Sequence, residues 1–309
     1  MSPKKEIKKA YWALVATSIL WGTSWIASKI AVTDMPALQV SYIRQFCAGS
    51  LFLIYFFIFD RQPLPSLKLF RHMTVMAFLV FLLANGLSTW GLKYIPTGLA
   101  SLIGALYPLC VVLIEWIFFK KRNVTPLTFI GLIIGILGVG YVFYENMLGQ
   151  LTPQLVFGLV LSIVAILAWS LGTIFLSRHH LDINPYYAMG WQMIIGSVMV
   201  FVLAHIVQQP VPLSAVTSKS WFSICYLVLV GSTFSFIAFL YTIKWLPSAI
   251  ASLYAYVNPI VATIIASFLL DEKISITIMI GTVITLIGVY LVNRSVKKEK
   301  EEMVIEAEI

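Results

Sequence analysis

Long apolar runs alternate with short polar breaks along the whole chain. They cover approximately residues 11–32, 38–59, 73–92, 97–119 and 127–144, then, after a polar interval at 145–153, residues 154–177, 185–206, 221–243, 247–270 and 274–292. Each is close to the ~20 apolar residues that an α-helix needs to cross the hydrocarbon core of a bilayer. The pattern predicts an all-α integral membrane protein with ten transmembrane helices, five on each side of the interval. The expected parts are a tail at 1–10, a first five-helix unit at 11–144, an outer linker at 145–153, a second five-helix unit at 154–292 and a charged tail at 293–309. The first run follows a cluster of lysines, as in a signal peptide, but it is longer than a signal core and is read as a helix that stays.

The two units are related. Sliding residues 93–108 onto 244–259 superimposes Lys93 on Lys244, Pro96 on Pro247, Ala100 on Ala251, Ser101 on Ser252, Leu102 on Leu253 and Pro108 on Pro259. At nearly the same offset Trp21 meets Trp169, Gln45 meets Gln192, and Gly131 and Gly138 meet Gly281 and Gly288. Five is odd, so a second copy enters the membrane upside down relative to the first. Inverted repeats of this kind are common among secondary transporters, whose halves move around a site near the midplane.

Charge orients the arrangement. Sixteen of the twenty-one Lys and Arg residues fall on the side of the termini, against Lys93, Lys219 and Lys273 on the other, while Lys29 and Arg44 lie within helices. This bias places both termini in the cytoplasm; the expected location is the plasma membrane. The composition agrees, at 60% hydrophobic and 11% charged, where a soluble domain carries about 25% charged residues. The net charge of +8 is scattered through short loop runs, so the expected partners are the lipid bilayer and a small molecule, not nucleic acid. Cys47, Cys110 and Cys225 lie in apolar runs without disulfide or metal spacing, and His179-His180 stands at no ligand spacing from His72 or His205. Neither a metal nor a cofactor is expected. The chain also lacks a Walker A sequence, a His-Glu-x-x-His pair and a Gly-x-Ser-x-Gly elbow, which leaves no recognisable catalytic group.

Several stretches point further. Trp21-Gly22-Thr23-Ser24, Arg44, the segment 96–108 between its two prolines, Ala168-Trp169-Ser170-Leu171-Gly172, and Tyr254-Ala255-Tyr256-Val257-Asn258-Pro259 followed by Glu272 together resemble the EamA family of the drug/metabolite transporter superfamily, over about residues 12–292. The resemblance implies a ten-helix fold of inverted five-helix repeats around a central cavity lined mainly by helices one, three, four, six, eight and nine. It also implies a transporter: the family includes exporters of amino acids and related metabolites, and some importers of cofactors or nucleoside-like solutes. Where family members often end helix four with an acidic residue, this chain has Lys120-Lys121-Arg122, while Glu272 stands at the matching end of helix nine.

Within this frame the chemistry-bearing positions are few. Pro108 and Pro259 fall mid-helix, where each frees a carbonyl, and are assigned gating or kink roles. Trp21 and Trp169 also sit mid-helix, away from the interfaces where membrane tryptophans gather. With Tyr107, Tyr254 and Asn258 they form either a substrate-binding wall with polar tips or an ordinary packed core. Asn85 and Tyr241 are further substrate-binding candidates, with helix-to-helix hydrogen bonds as the alternative. Arg44, inside helix two, and Glu115, inside helix four, take structural or coupling roles. Arg44 locks helix ends or snorkels; Glu115 is a proton site or a partner for a nearby lysine. The expected function is a secondary active or facilitative transporter that exports a small organic metabolite, amino-acid-like or amphipathic and aromatic, by alternating access. Import of a cofactor or nucleoside-like metabolite is the alternative within that class; a polytopic membrane enzyme and a non-transporting receptor are the alternatives outside it.

Overall fold

The computed structural model describes residues 3–119, 125–149, 152–178, 183–246, 248–251 and 253–307. These are almost entirely helical, with no strand among them. Helix α1 spans Pro3–Ala31 and α2 spans Ala37–Ile58. Helix α3 (Leu67–Met76) passes through a π-helical stretch, Ala77–Gly86, into α4 (Leu87–Leu92) as one rod. Helices α5 (Thr97–Ala105) and α6 (Tyr107–Phe119) meet at a bend of 41°. Then come α7 (Pro126–Gly149), α8 (Pro153–Arg178) and α9 (Pro185–Val207). A second composite rod joins α10 (Ser218–Tyr226), a π-helical stretch at Leu227–Phe234 and α11 (Ser235–Trp245). Helices α12 (Ser248–Ala251), α13 (Tyr254–Leu269) and α14 (Ile276–Ala307) complete the fold.

Local chemistry sets the helix starts that hydropathy alone places loosely. Ser66 accepts the Leu69 amide, Thr217 the Ser220 amide and Asn184 the Tyr186 amide, each satisfying a donor that a first turn leaves bare. Pro36 and Pro96 precede α2 and α5 in extended conformations. Helix α7 continues through Gly149, so the polar interval expected at 145–153 begins inside a helix; apolar character ends before hydrogen bonding does.

Among the described residues, seven helices or composite rods are long and apolar enough to cross a membrane, and the bent pair α5–α6, taken as one span, makes eight. Two of the ten expected spans fall outside that set. The first is α1, whose Trp21, Trp25, Thr23, Ser24 and Ser28 dilute its hydropathy. The other is α13, only 16 residues long because the chain breaks around Leu253. Lys120, Lys121, Arg122, His179, His180, Pro247 and Ser252 lie outside the described residues.

The closest packing joins one repeat to the other. Helix α7 packs on α14, α2 on α9, α1 on α13 and α11, and α8 on α4 and the first π-helical stretch. A Cβ on Gly131 would lie 2.8 Å from the Gly288 carbonyl, and one on Gly138 would lie 2.8 Å from that of Gly281. Helices α7 and α14 therefore run antiparallel at backbone contact, an approach that glycine permits. Helices α2 and α9 are likewise antiparallel: Gly49 meets Met193 and Gly190 meets Phe52.

Candidate functional site

A cavity of about 170 Å3 opens between the repeats. Helix α1 supplies Trp21, Ser24, Trp25 and Ser28; the first composite rod supplies Asn85, Ser88 and Thr89; α8 supplies Ser162 and Trp169. Tyr107, Phe236, Tyr254 and Asn258 complete its inner part. One floor of the cavity is aromatic. The Trp21 ring lies 6.1 Å from Trp169, 5.4 Å from Phe236 and 5.0 Å from both Phe239 and Tyr254, mostly edge to face, and Tyr107 stacks over Tyr254 at 6.4 Å. Such pairs each contribute about 0.5–1.5 kcal/mol beyond the area they bury. Below this floor, on the side of the termini, Ala10, Leu14, Leu246 and Ile250 pack in one apolar cluster with Trp21 and Tyr254. In the other direction the lining runs along Ser28, Leu92, Ala100 and Ser101 toward the opposite face.

The prolines act through the residues a turn before them. Pro108 and Pro259 lack the amides that would bond the carbonyls of Gly104 and Ala255, and both Gly104 and Ala255 line the cavity. Neither proline ring does. Gly104 also lets the Trp25 ring approach α5, since a Cβ there would sit 3.3 Å from that ring. Asn258 keeps its Oδ1 buried without a hydrogen-bond donor.

The two π-helical stretches stand at matching places in the repeats, and adjacent residues of α2 grip both. Arg44 donates from Nε to Ser232 Oγ at 2.7 Å and from Nη2 to the Gly231 carbonyl at 2.9 Å. Gln45 donates from Nε2 to the Phe81 carbonyl at 3.0 Å. A wider helical turn offers carbonyls that an α-helix would use internally. Arg44 also reaches the cavity, so helix two joins the six helices expected to line it.

Two expected positions lie elsewhere. The Tyr241 hydroxyl donates to Glu6, which also accepts from Lys9 at 2.8 Å; this tyrosine belongs to the closure on the terminal face and does not line the cavity. Glu115 sits in α6 beyond the aromatic floor, also outside the cavity. At the far face Glu272 accepts the Thr97 amide at 3.0 Å and the Thr97 hydroxyl at 2.7 Å. A carboxylate there complements the positive end of α5. Lys29 Nζ donates to the carbonyls of Leu92 and Ile95, each at 2.7 Å. Sequence reasoning missed Ser24, Trp25, Ser28, Ser88, Thr89 and Ser162. Their signal was present: Trp21, Ser24, Trp25 and Ser28, like Asn85, Ser88, Thr89 and Leu92, follow the i, i+3, i+4, i+7 spacing of one helix face.

Comparison with known proteins gives this architecture its context. The pattern of the EamA-like transporter family matches the chain twice, at residues 8–144 and 156–294. An uncharacterized transporter of Bacillus subtilis, YoaV, is 25% identical over 287 residues, covering 92% of this chain and 96% of its own length. The uncharacterized inner membrane transporter YedA of Escherichia coli is 28% identical over 273 residues, covering 88% and 86%. A solved crystal structure shares the fold with a TM-score of 0.64 at 15% identity, over 94% of this chain and 98% of that one. With its two matched repeats and its membrane-spanning helices, the chain belongs to the EamA-like transporter family and is a multi-pass membrane transporter.

Proposed function

We propose that the protein is a secondary active or facilitative transporter that exports a small organic metabolite, amino-acid-like or amphipathic and aromatic, by alternating access between two inverted repeats at 11–144 and 154–292. The observation that carries this reading is the cavity itself. Both repeats wall it, an aromatic layer closes one end, and a polar flank leads toward the other. Trp21, Trp169, Tyr107 and Tyr254 hold the apolar body of the solute; Asn85 and Asn258 bind its polar groups; Pro108 and Pro259 place the bends between which the repeats shift.

Ten crossings fit the way the helix ends are tied. On the terminal face Tyr241 bonds Glu6, Tyr187 bonds the Pro63 carbonyl, and Ser295 bonds Thr125 and Thr128. On the opposite face Asp34 accepts from Thr217 and Ser220, Gln39 pairs with Val211, and Glu272 holds Thr97. Successive helices alternate between these two sets only if α1 crosses and α12 with α13 crosses as a pair. With the terminal face cytoplasmic, as the lysine and arginine bias favours, and the plasma membrane as the location, this conformation presents its cavity outward.

The test compares metabolites inside and outside cells expressing the wild type or matched amounts of Trp21→Ala. One compound class should accumulate outside with the wild type alone, and purified protein in liposomes should carry that compound without ATP. Identical profiles, followed by no flux of any panel compound through folded protein in liposomes, would refute the reading.

A further inference from the structure

Among the described residues that line the cavity, Arg44 is the one that carries a charge. It is 7% exposed, and among the described residues no carboxylate lies within ion-pairing distance of it. Its hydrogen bonds, to Ser232 Oγ and the Gly231 carbonyl, both go to neutral acceptors. A guanidinium stays protonated in proteins and carries five N–H donors in a planar fork. Nε–H and one Nη2–H form one edge of that fork, and the second π-helical stretch occupies it. Among the described residues, the other edge, Nη1 with the second Nη2 hydrogen, has no partner.

A buried cation without a counter-charge is costly to keep at membrane depth. A fold that needed only to lock α2 onto the second π-helical stretch would achieve it with a neutral donor, as Gln45 does on the first stretch. A removable counter-charge is the remaining economy. Asn258 Oδ1, buried without a donor in the same cavity, is an independent sign that a polar ligand completes the site.

We propose that Arg44 receives a carboxylate of the transported solute on its free Nη1/Nη2 edge, while the solute's apolar body lies against Trp21, Trp169 and Tyr254. The inference rests on the reading of the cavity as the transport site. A carboxylate matches that edge with two parallel charge-assisted hydrogen bonds. An amide of the same shape has no charge to offer, and an amine has the wrong sign.

The experiment uses the full chain in nanodiscs and two probe series, 3-phenylpropionate and hexanoate, each with its primary amide and its amine analogue. Binding is read from the fluorescence of the cavity tryptophans. In the wild type each acid should bind at least ~10-fold more tightly than its amide, as charge-assisted bonds require, and the amine should bind weakest. Arg44→Gln should erase the acid's advantage, and Arg44→Lys should restore part of it. Equal binding of acid and amide to the wild type overturns the proposal and leaves the cavity reading standing. Failure of all probes to bind overturns both. The wild-type comparison decides by itself if Arg44→Gln does not fold.

Discussion

At the scale of single residues, Asn258 separates a ligand group from a packing group most cleanly. Its Oδ1 has no donor to lose, so Asn258→Ala should cut liposome flux ~10-fold, the worth of one good hydrogen bond to a solute, at unchanged expression. A matching fall in flux and expression would move it to the packing class. Asp34 gives a pH prediction. Burial pushes its carboxyl up, but bonds from the Ser220 and Thr217 hydroxyls and the Thr217 amide outweigh that and hold it below the usual carboxylate range. The unfolded state therefore binds more protons as pH falls, and Asp34's contribution, complete above about pH 4, disappears as pH drops through the folded value. Thermal unfolding followed from pH 6 to pH 3 should show that loss in the wild type and a flatter profile in Asp34→Asn. Part of the cavity lining was legible at this scale. Trp21 and Trp169 sit at mid-helix, Tyr107 and Tyr254 open α6 and α13, and Asn258 stands one residue before Pro259; all line the cavity. Tyr241 was not legible, because a hydroxyl near a helix end does not announce its direction and its partner Glu6 is remote in sequence.

At the scale of elements, the glycines of α7 and α14 do more than leave space. A Cβ on Gly288 would come within 2.3 Å of the Gly135 amide nitrogen and 2.6 Å of the Gly131 carbonyl, and backbone cannot rotate aside. Gly288→Val should push the two helices apart at a cost of about 1–3 kcal/mol, read as a lower unfolding midpoint in detergent, with Gly140→Val, which meets open space, as the mild control. The Glu272 cap is a second element-level device. Glu272→Gln should weaken the start of α5 by roughly 1 kcal/mol, seen as faster amide exchange around Thr97. The repeat in the sequence revealed the paired glycines and prolines. It did not reveal the π-helical stretches, since nothing in the residues of 77–86 or 227–234 demands a wider turn; the side chains of Arg44 and Gln45 reach their carbonyls from another helix. Apart from its last residue, the apolar run read at 11–32 lies within α1, whose hydropathy is lowered by the Trp and Ser residues it turns to the cavity.

At the scale of the whole molecule, the cavity is closed on the terminal face by a small apolar cluster and the Tyr241–Glu6 bond. If that closure holds the present conformation, Tyr241→Phe should loosen it. A cysteine placed at Ser28 should then react more slowly with an external maleimide as the population shifts inward, whereas an unchanged rate would show that the apolar cluster suffices. The packing of repeat on repeat has a consequence for how the protein is made. The first repeat leaves the ribosome before α8, α9, α13 and α14 exist, yet those are the helices against which α4, α2, α1 and α7 find their closest contacts. Until the second repeat arrives, the early helices have only their sparser contacts with one another, and Arg44 and the glycines of α7 lack their partners. The nascent chain is therefore most exposed to quality-control proteases halfway through its synthesis. Two polypeptides cut between Gly149 and Pro153 should each be short-lived alone and mutually protective when made together.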